Sequence, residues 1–184
     1  MASTDSPGAF AHCRVLVVGD AMLDRYWFGD VDRISPEAPV PVVRVRAAEE
    51  RLGGAANVAR NIVSVGARAA LLTVVGDDDA GRSIGRLLAA SEIDGHLHTD
   101  ARLATTVKVR VIGRQQQIVR VDFETAPEAE VLAAHLDEYE QLLPECDVVL
   151  LSDYGNGGLA HIVRMLESAR AAGRPVLVDP KGDD

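Results

Sequence analysis

Four short apolar runs recur along the chain, and segments with helical periodicity lie between them. The runs cover residues 14–19, 71–75, 147–151 and 175–179. A short continuous apolar run is typical of a strand that is buried on both faces of a parallel sheet. Such strands in alternation with amphipathic helices predict an α/β fold, in which a doubly wound, mostly parallel sheet lies between two helical layers.

The carboxyl ends of the predicted strands indicate where a ligand would bind. In open α/β sheets, ligands bind in the crevice beyond the carboxyl ends of the strands. We therefore expect one functional rim, formed by the residues at or just after the strand ends: Asp20, Asp24, Gly76, Asp153 and Lys181.

The composition is that of one globular domain, with 184 residues of which 47% are apolar and 26% charged. The net charge of −9 argues against nucleic acid as a partner, because nucleic-acid binding requires a basic surface. No apolar stretch approaches the roughly 18 residues of a membrane span, and the first 12 residues lack the pattern of a signal peptide. The spacing of Cys13 and Cys146 suits neither a disulfide framework nor a zinc site. These features predict a cytoplasmic protein that does not bind membranes.

Two segments interrupt the alternation of strands and helices, at about residues 26–50 and 105–124. In the second, valines alternate with charged residues on either side of a loop at residues 113–117, the pattern of a hairpin with one wet face. The first contains prolines at 36, 39 and 41, which permit edge strands but not a central strand. Both segments are expected to stand off the main sheet.

Gly53 and Gly54 open a predicted helix that ends near Gly66. Glycines at a helix start expose backbone N–H groups and let a ligand approach without meeting a Cβ atom. Asn57, one turn into the helix, can donate and accept hydrogen bonds toward the same space, which suits a sugar hydroxyl. The alternative is that the glycines only shape a turn and that Asn57 faces solvent.

The spacing around this helix is similar to the first signature of the ribokinase-type (PfkB) carbohydrate kinases. The pattern is Gly-Gly-x-x-Asn at 53–57, then a helix, then Gly66, and a Gly-Asp-Asp sequence at 76–78. The resemblance covers nearly the whole chain from about residue 14. It points to the branch that uses ATP and Mg2+ to phosphorylate D-glycero-β-D-manno-heptose 7-phosphate at O1, on the route to ADP-heptose and the lipopolysaccharide core. The segments that resemble this branch are residues 17–27, 33–43, 113–124, 151–155 and 178–182.

The resemblance also implies a domain organisation. It implies a ribokinase-like three-layer α/β/α fold with a small β-lid, formed by the segments at about 26–50 and 105–124. Residues 14–184 would be the N-terminal part of a kinase domain, after a disordered extension at residues 1–13. The lid of this family often pairs with that of a second subunit, so we expect a homodimer.

The family also has a Gly-Ala-Gly-Asp motif, which carries the catalytic aspartate, and this motif does not occur in the sequence. We expect that motif to lie beyond Asp184, so no catalytic residue and no metal ligand is assigned to this chain, and the chain alone is expected to be inactive. The sequence leaves open whether a nucleotidyltransferase domain follows the kinase domain.

Site roles follow from the resemblance residue by residue. Asp24 matches the carboxylate that holds sugar hydroxyls, and Gly53, Gly54 and Asn57 would line the same sugar. A capping or surface role is the alternative for Asp24, and capping a loop is the alternative for Asp20.

A substrate that already carries a phosphate needs cations at its distal end. The candidates on the wet face and tip of the second lid segment are Lys108, Arg110, Arg114, Gln115 and Gln116. Arg44 and Arg46 are a second choice, and Asp153 and Lys181 are candidates at the rim. Solvation of these side chains is the alternative for each of them.

Two other functions compete with the heptose kinase. One is a ribokinase-type kinase for another sugar or sugar phosphate, and the other is a non-catalytic module that binds a sugar phosphate. A nucleotide-binding dehydrogenase fits poorly, because the first strand leads into Gly19-Asp20-Ala21-Met22 and not into a G-x-G-x-x-G turn.

Overall fold

The computed structural model describes residues 10–181. Its strands and helices confirm the predicted alternation of strands and helices. In chain order they are β1 (Arg14–Gly19), β2 (Ala21–Ile34), β3 (Pro41–Gly54), α1 (Ala55–Ser64), β4 (Arg68–Gly76), α2 (Asp79–Ala90), β5 (Asp94–Asp100), β6 (Val107–Gly113), β7 (Gln116–Phe123), α3 (Ala129–Leu142), β8 (Val148–Ser152), α4 (Ile162–Ala171) and β9 (Val176–Asp179).

The main sheet is parallel throughout, with strand order β5-β4-β1-β8-β9. The four predicted strands are β1, β4, β8 and β9. The prediction that all four are buried is wrong for β9, because it lies at the edge of the sheet and its Leu177 and Val178 are 60% and 42% exposed. Strand β5 was not predicted from the sequence, because one of its faces carries His96 and His98 in place of apolar residues. His96 Nδ1 and His98 Nε2 lie 2.7 and 2.6 Å from the Glu138 carboxylate on α3, so a polar strand is accommodated at the edge of the sheet.

Helices cover both faces of the main sheet and confirm the three-layer architecture. On one face, Val17 and Leu71 pack against α1 and α2. On the other face, Leu16 and Val18 pack against α3 and α4. Alternate residues of a strand point to opposite faces, so the single apolar run of β1 contributes to both cores.

The two lid segments form one four-stranded sheet, the lid sheet, with strand order β3-β2-β6-β7. Strand β2 runs antiparallel to β3 and parallel to β6, and β7 completes the hairpin with β6. The hairpin of β6 and β7 was predicted, whereas its pairing with β2 was not. The three valines of β6 are buried in the same core as α1 and α2: Val107, Val109 and Val111.

Hydrogen bonds around Thr105 fasten the lid sheet to the body of the domain. Thr105 donates from its backbone N and from Oγ1 to the Asp78 carboxylate, at 2.8 and 2.7 Å. Asp78 also caps α2 by accepting from Gly81 N at 2.8 Å. Burial by itself would raise the pKa of Asp78, but the hydrogen bonds from Gly81 and Thr105 outweigh it and hold that pKa below its ordinary value.

The predicted extension at residues 1–13 lies mostly outside the described residues. Its last part forms a turn in which Cys13 N donates to Phe10 O. Within residues 10–181, no helix is long and apolar enough to cross a membrane.

His135 on α3 leads to a prediction about pH. Its side chain is 1% exposed, and burial, assisted by the neighbouring His98, lowers the pKa of His135 from 6.5 to about 4. The unfolded chain takes up a proton on this imidazole near pH 6.5, so acid favours unfolding. We expect His135 to lower the free energy of unfolding by up to about 3 kcal/mol as the pH falls from 6.5 to 4, with its full contribution to stability present above pH 6.5.

Urea denaturation at a series of pH values checks this expectation. The variant His135→Gln should show a shallower loss of stability over this pH range than the wild type. His12→Gln is the matched control, because His12 is exposed, and it should keep the wild-type slope. An unchanged slope in His135→Gln would contradict the assignment.

Candidate functional site

Asp20, directly after β1, organises one wall of the candidate site. Its buried carboxylate accepts three backbone hydrogen bonds from the loop after β8: from Tyr154 N at 3.1 Å, Asn156 N at 3.0 Å and Gly158 N at 2.8 Å. A Cβ on Gly158 would lie 2.6 Å from Asp20 Oδ1, so a side chain there would displace the carboxylate. Of the two roles considered for Asp20, the structure shows the loop-holding one.

The same residue also positions the start of α1. Its carbonyl oxygen accepts a hydrogen bond from Ala55 N at 3.0 Å. Gly54 has a φ of 56°, and a Cβ at this position would lie 2.3 Å from Asp20 O. The close approach that requires glycine at position 54 is therefore one between two segments of the chain's own backbone.

Asp24 lies on β2, on the face of the lid sheet opposite the buried valines. We call this the inner face. Asp24 Oδ1 accepts from Arg110 Nη1 at 2.6 Å. Asp24 Oδ2 points at Gly53, where a Cβ would lie only 2.9 Å away. Asp24, Gly53 and Arg110, three predicted site residues, are thus brought together, and the absence of a side chain at Gly53 permits the close approach of the Asp24 carboxylate.

A cleft of about 360 Å3 lies where the inner face meets the carboxyl ends of β8 and β9. It joins three further predicted residues, Lys108, Asp153 and Lys181, which come from separate parts of the chain. Lys181 Nζ donates to Tyr154 O at 2.9 Å, across the cleft floor. The lining residues are Met22, Lys108, Asp153, Tyr154, Asp179, Pro180 and Lys181. Of the five residues expected at one rim, Asp153 and Lys181 line this cleft, whereas Asp20 and Gly76 line two other cavities.

The cations of the inner face are paired with carboxylates. Lys108 contacts Asp122 at 3.2 Å and also Glu124. Burial alone would lower the pKa of Lys108, but the hydrogen bonds to Glu124 and Asp122 outweigh it and raise that pKa above its ordinary value. Lys108 is therefore a permanent cation, and a ligand that approaches it must compete with two carboxylates.

Several predicted residues lie away from the cleft. Arg114 and Gln115 form the exposed turn between β6 and β7, and Gln116 follows it. The end of β6 at Gly113, directly before this turn, is roughly 17 Å from Lys108 along the strand, at about 3.3 Å per residue. Arg44 and Arg46 lie near the other lid tip, where they pair with Asp32 and Asp30.

Asn57 lies in the first turn of α1, as predicted. It is partly exposed, and its Oδ1 accepts from Arg60 Nη2 at 3.0 Å. Its convergence with Asp24 on one sugar stays a prediction.

Two inner-face residues were missed by the sequence analysis. Tyr26 lies two residues after Asp24 on β2, and the guanidinium carbons of Arg51 and Arg110 lie 4.5 and 5.2 Å from its ring centroid. Alternation along residues 22–26 would have placed Tyr26 beside Asp24, had this segment been predicted as a strand. Arg51 could be found only from the pairing of β2 with β3, in which it lies opposite Asp24.

The described residues do not form a metal centre. Within residues 10–181 no group of three or more His, Cys, Asp or Glu side chains is arranged to hold a metal ion. The arrangement is suited to holding a polar, anionic ligand, since it combines carboxylate acceptors, two lysines and a loop that the Asp20 carboxylate holds through three hydrogen bonds.

Sequence comparison adds a family assignment to this geometry. Residues 13–184 match the family model described as pfkB family carbohydrate kinase. The chain is 54% identical to the D-beta-D-heptose 7-phosphate kinase of Bordetella bronchiseptica, over 94% of this chain and 55% of that protein. It is 51% identical to the bifunctional protein HldE of Methylococcus capsulatus, over 95% of this chain and 37% of that protein. The chain thus spans between about a third and just over half of the length of these relatives.

Structural comparison supports the fold. Phosphofructokinase-2 from Escherichia coli, solved in complex with fructose-6-phosphate, superposes with a TM-score of 0.71 at 20% identity. The match covers 93% of this chain and 55% of that one. At this identity the likeness shows the ribokinase-like fold and leaves the substrate to other arguments.

The three hydrogen bonds to Asp20 predict the effect of Asp20→Asn. The amide has one acceptor oxygen in place of two, and its NH2 group faces backbone N–H donors. We expect the free energy of unfolding to fall by about 1–3 kcal/mol, because at least one buried donor loses its partner. Equilibrium urea denaturation measures this change.

Asp147→Asn is the matched control. Asp147 also accepts a backbone hydrogen bond, from Arg14 N at 2.8 Å, but it is exposed. We expect its effect to stay within about 0.5 kcal/mol. Equal losses in the two variants would show that the buried loop contacts of Asp20 have no special weight.

Proposed function

The chain belongs to the pfkB family of carbohydrate kinases, and on that premise we propose that its parent protein transfers a phosphoryl group from ATP to O1 of a heptose 7-phosphate. The observation that carries this proposal is the 54% identity to a protein named as a heptose 7-phosphate kinase, over 94% of this chain. The product is a heptose 1,7-bisphosphate, a precursor for ADP-heptose and the lipopolysaccharide core. Because ATP is the donor, we place the reaction in the cytoplasm.

Within this proposal, the sugar hydroxyls bind at the junction of β2 and α1. The Asp24 carboxylate, which Gly53 allows to lie close to β3, accepts from them, since a carboxylate is a strong acceptor for hydroxyl donors. Gly54 sets the start of α1, and Asn57 contributes an amide from the first turn of that helix. Support comes from the contact of Asp24 with Gly53 and from the fixed start of α1.

The phosphorylated end of the sugar needs cations, and the inner face and cleft supply them. Lys108 and Lys181 line the cleft, and Arg110 lies beside Asp24. Asp153 shapes the loop by accepting from Gly155 N at 2.8 Å. Arg114 and Gln116 stay candidates at the lid tip, where contact with the sugar would require lid movement.

ATP and Mg2+ are assigned to the parent protein and not to residues of this chain. The described residues include no cluster fit for a metal ion. When bound, Mg2+ would neutralise charge on the transferred phosphoryl group. The contribution of this chain is to bind the sugar, orient it and exclude water, and this contribution matters because phosphoryl transfer depends mainly on positioning and electrostatics.

A coupled assay on the full-length parent protein tests the proposal. Heptose 7-phosphate should support ATP turnover at a kcat/KM at least tenfold above that for ribose, fructose 6-phosphate or a nucleoside. A better rate with one of these sugars would favour another kinase of the family, and the absence of turnover with every sugar would favour a binding module.

The Gly53→Ala substitution tests the sugar site within the full-length protein. The new Cβ would lie 2.7 Å from Met22 Cγ and 2.9 Å from Asp24 Oδ2, so the carboxylate must move. We expect the KM for heptose 7-phosphate to rise by about tenfold, equivalent to a loss of roughly 1.4 kcal/mol of binding. Steady-state kinetics measure this change.

Gly85→Ala provides the control, because a Cβ there meets only Leu97 Cδ1 at an ordinary 3.5 Å. Its KM should match that of the wild type. A wild-type KM in Gly53→Ala would contradict the proposed position of the sugar.

A homodimer through the lid is part of the proposal. On edge strand β7, Val119, Val121 and Phe123 are 47%, 42% and 54% exposed, and they continue the apolar face whose other part is buried. An exposed apolar edge strand favours pairing with another strand. A second copy of the lid would cover both edges at once through twofold symmetry.

Sedimentation of the full-length protein tests this interface. Val121→Lys should raise the dimer dissociation constant by about tenfold or more, because a charge would be placed in an apolar contact. Val163→Lys, on an exposed position of α4, should leave the dimer intact. A dimer unaffected by Val121→Lys would place the interface elsewhere.

A further inference from the structure

The ion pair of Asp24 and Arg110 joins two residues that have separate duties in the proposed function. Asp24 holds sugar hydroxyls and Arg110 serves the phosphate, yet in this structure they hold each other at 2.6 Å. Both side chains are largely shielded from water, with 18% and 21% of their surfaces exposed. One residue therefore cannot change partners without affecting the other.

The ion pair is monodentate, so both residues keep atoms that can form further hydrogen bonds. Arg110 uses Nη1 for Asp24, and within residues 10–181 this is its one hydrogen bond, although a guanidinium has five donors. Asp24 uses Oδ1, and its Oδ2 points toward the bare Cα of Gly53. A bidentate pair would be harder to separate.

The Arg110 guanidinium has a second possible contact nearby. The Tyr26 ring, 5.2 Å from the Arg110 guanidinium carbon, can hold a cation over its face. The guanidinium carbon of Arg51 lies 4.5 Å from the same ring centroid, and Arg51 also pairs with Glu49.

We propose that the Asp24–Arg110 pair is a latch that the phosphate of the substrate releases, so that Arg110 makes the site select a phosphorylated sugar. The proposal rests on the proposed function. A phosphate monoester carries nearly two negative charges and three acceptor oxygens, so it competes with a carboxylate for the guanidinium. When Arg110 turns to the phosphate, Asp24 Oδ1 becomes free and both carboxylate oxygens accept from the sugar.

Lys108 and Arg120 are poorer candidates for this latch. Lys108 is held by two carboxylates, Asp122 and Glu124, neither of which is assigned to the sugar. Arg120 is more than half exposed, and within residues 10–181 its one carboxylate partner is Asp122. Arg110 instead pairs with Asp24, the carboxylate that is proposed to bind the sugar. Because these two residues hold each other, binding of the phosphate at Arg110 affects binding of the sugar at Asp24.

The latch has a thermodynamic consequence that a simple phosphate contact lacks. If phosphate releases Asp24, phosphate and sugar bind cooperatively even when they are separate molecules, because linkage is reciprocal. A heptose without phosphate must bind while Asp24 Oδ1 is still held by Arg110. Its affinity should then rise when inorganic phosphate is added.

Calorimetric titration of the full-length protein without nucleotide tests this consequence. The probes are the unphosphorylated heptose and inorganic phosphate. We expect saturating phosphate to tighten heptose binding by about fivefold or more, within the usual range of coupling between sites. In Arg110→Gln this enhancement should vanish, and heptose alone should bind at least as tightly as it binds to the wild type.

Arg110→Gln also distinguishes the latch from a simple phosphate contact and from a role that only orients Asp24. Arg110→Gln should weaken binding of heptose 7-phosphate by about tenfold or more, since it removes a charge-assisted contact. Arg120→Gln, the register partner of Arg110 on β7, should retain wild-type affinities and wild-type cooperativity. Melting temperatures of both variants verify that the fold is retained.

Three results would overturn the latch. Independent binding of phosphate and heptose to the wild type would make Arg110 a phosphate ligand without coupling. Equal weakening of both sugars by Arg110→Gln would make it a residue that only orients Asp24. Cooperativity that persists in Arg110→Gln would place the phosphate at another cation. Turnover of heptose 7-phosphate by the wild type stands apart from these results, so loss of the latch and failure of the proposed function are distinguishable.

Discussion

The buried carboxylate of Asp20 is the contact on which the geometry of the site depends. Asp20 follows β1, the middle strand of the main sheet, and binds the backbone of the loop after β8 through three N–H groups. Its carbonyl oxygen receives the first N–H of α1. One residue therefore fixes both the wall that carries Asp153 and the helix start that carries Gly54. Hydrogen bonds of this kind give each wall a single position because an unpaired buried donor is costly.

One face of the lid sheet packs against the core, and the other face carries the charged residues. The valines of β6 are buried in the core, while Lys108 and Arg110 between them lie on the inner face. A shift of one residue in strand register would exchange these faces, so burial of the valines also sets the direction of the cations. Packing of the valines in the core therefore determines the face on which the charged residues lie.

Carboxylates partner the inner-face cations before any ligand arrives, and this explains how an acidic chain of net charge −9 can present an anion site. The pairs hold the cations in place, and Lys108 and Arg110 are also largely shielded from solvent. In the proposed function, an incoming dianion would exchange partners with a carboxylate and meet a cation that is already oriented. Under the proposed latch, selectivity would depend on which carboxylate is displaced, and the partner of Arg110 is Asp24.

The sequence by itself determined the parallel α/β fold, the glycine-led helix, the second hairpin and the family resemblance. These features can be predicted from local periodicity and short motifs, because both depend on the burial and backbone geometry of a single segment. It could not determine β5, whose polar face hides its strand character, or the parallel pairing of β2 with β6. The partners of Asp20 lie up to 138 residues away, and Arg110 lies 86 residues from Asp24. Tertiary structure alone decided these contacts, because a carboxylate binds whichever donor the fold brings beside it, and no local pattern encodes that neighbour.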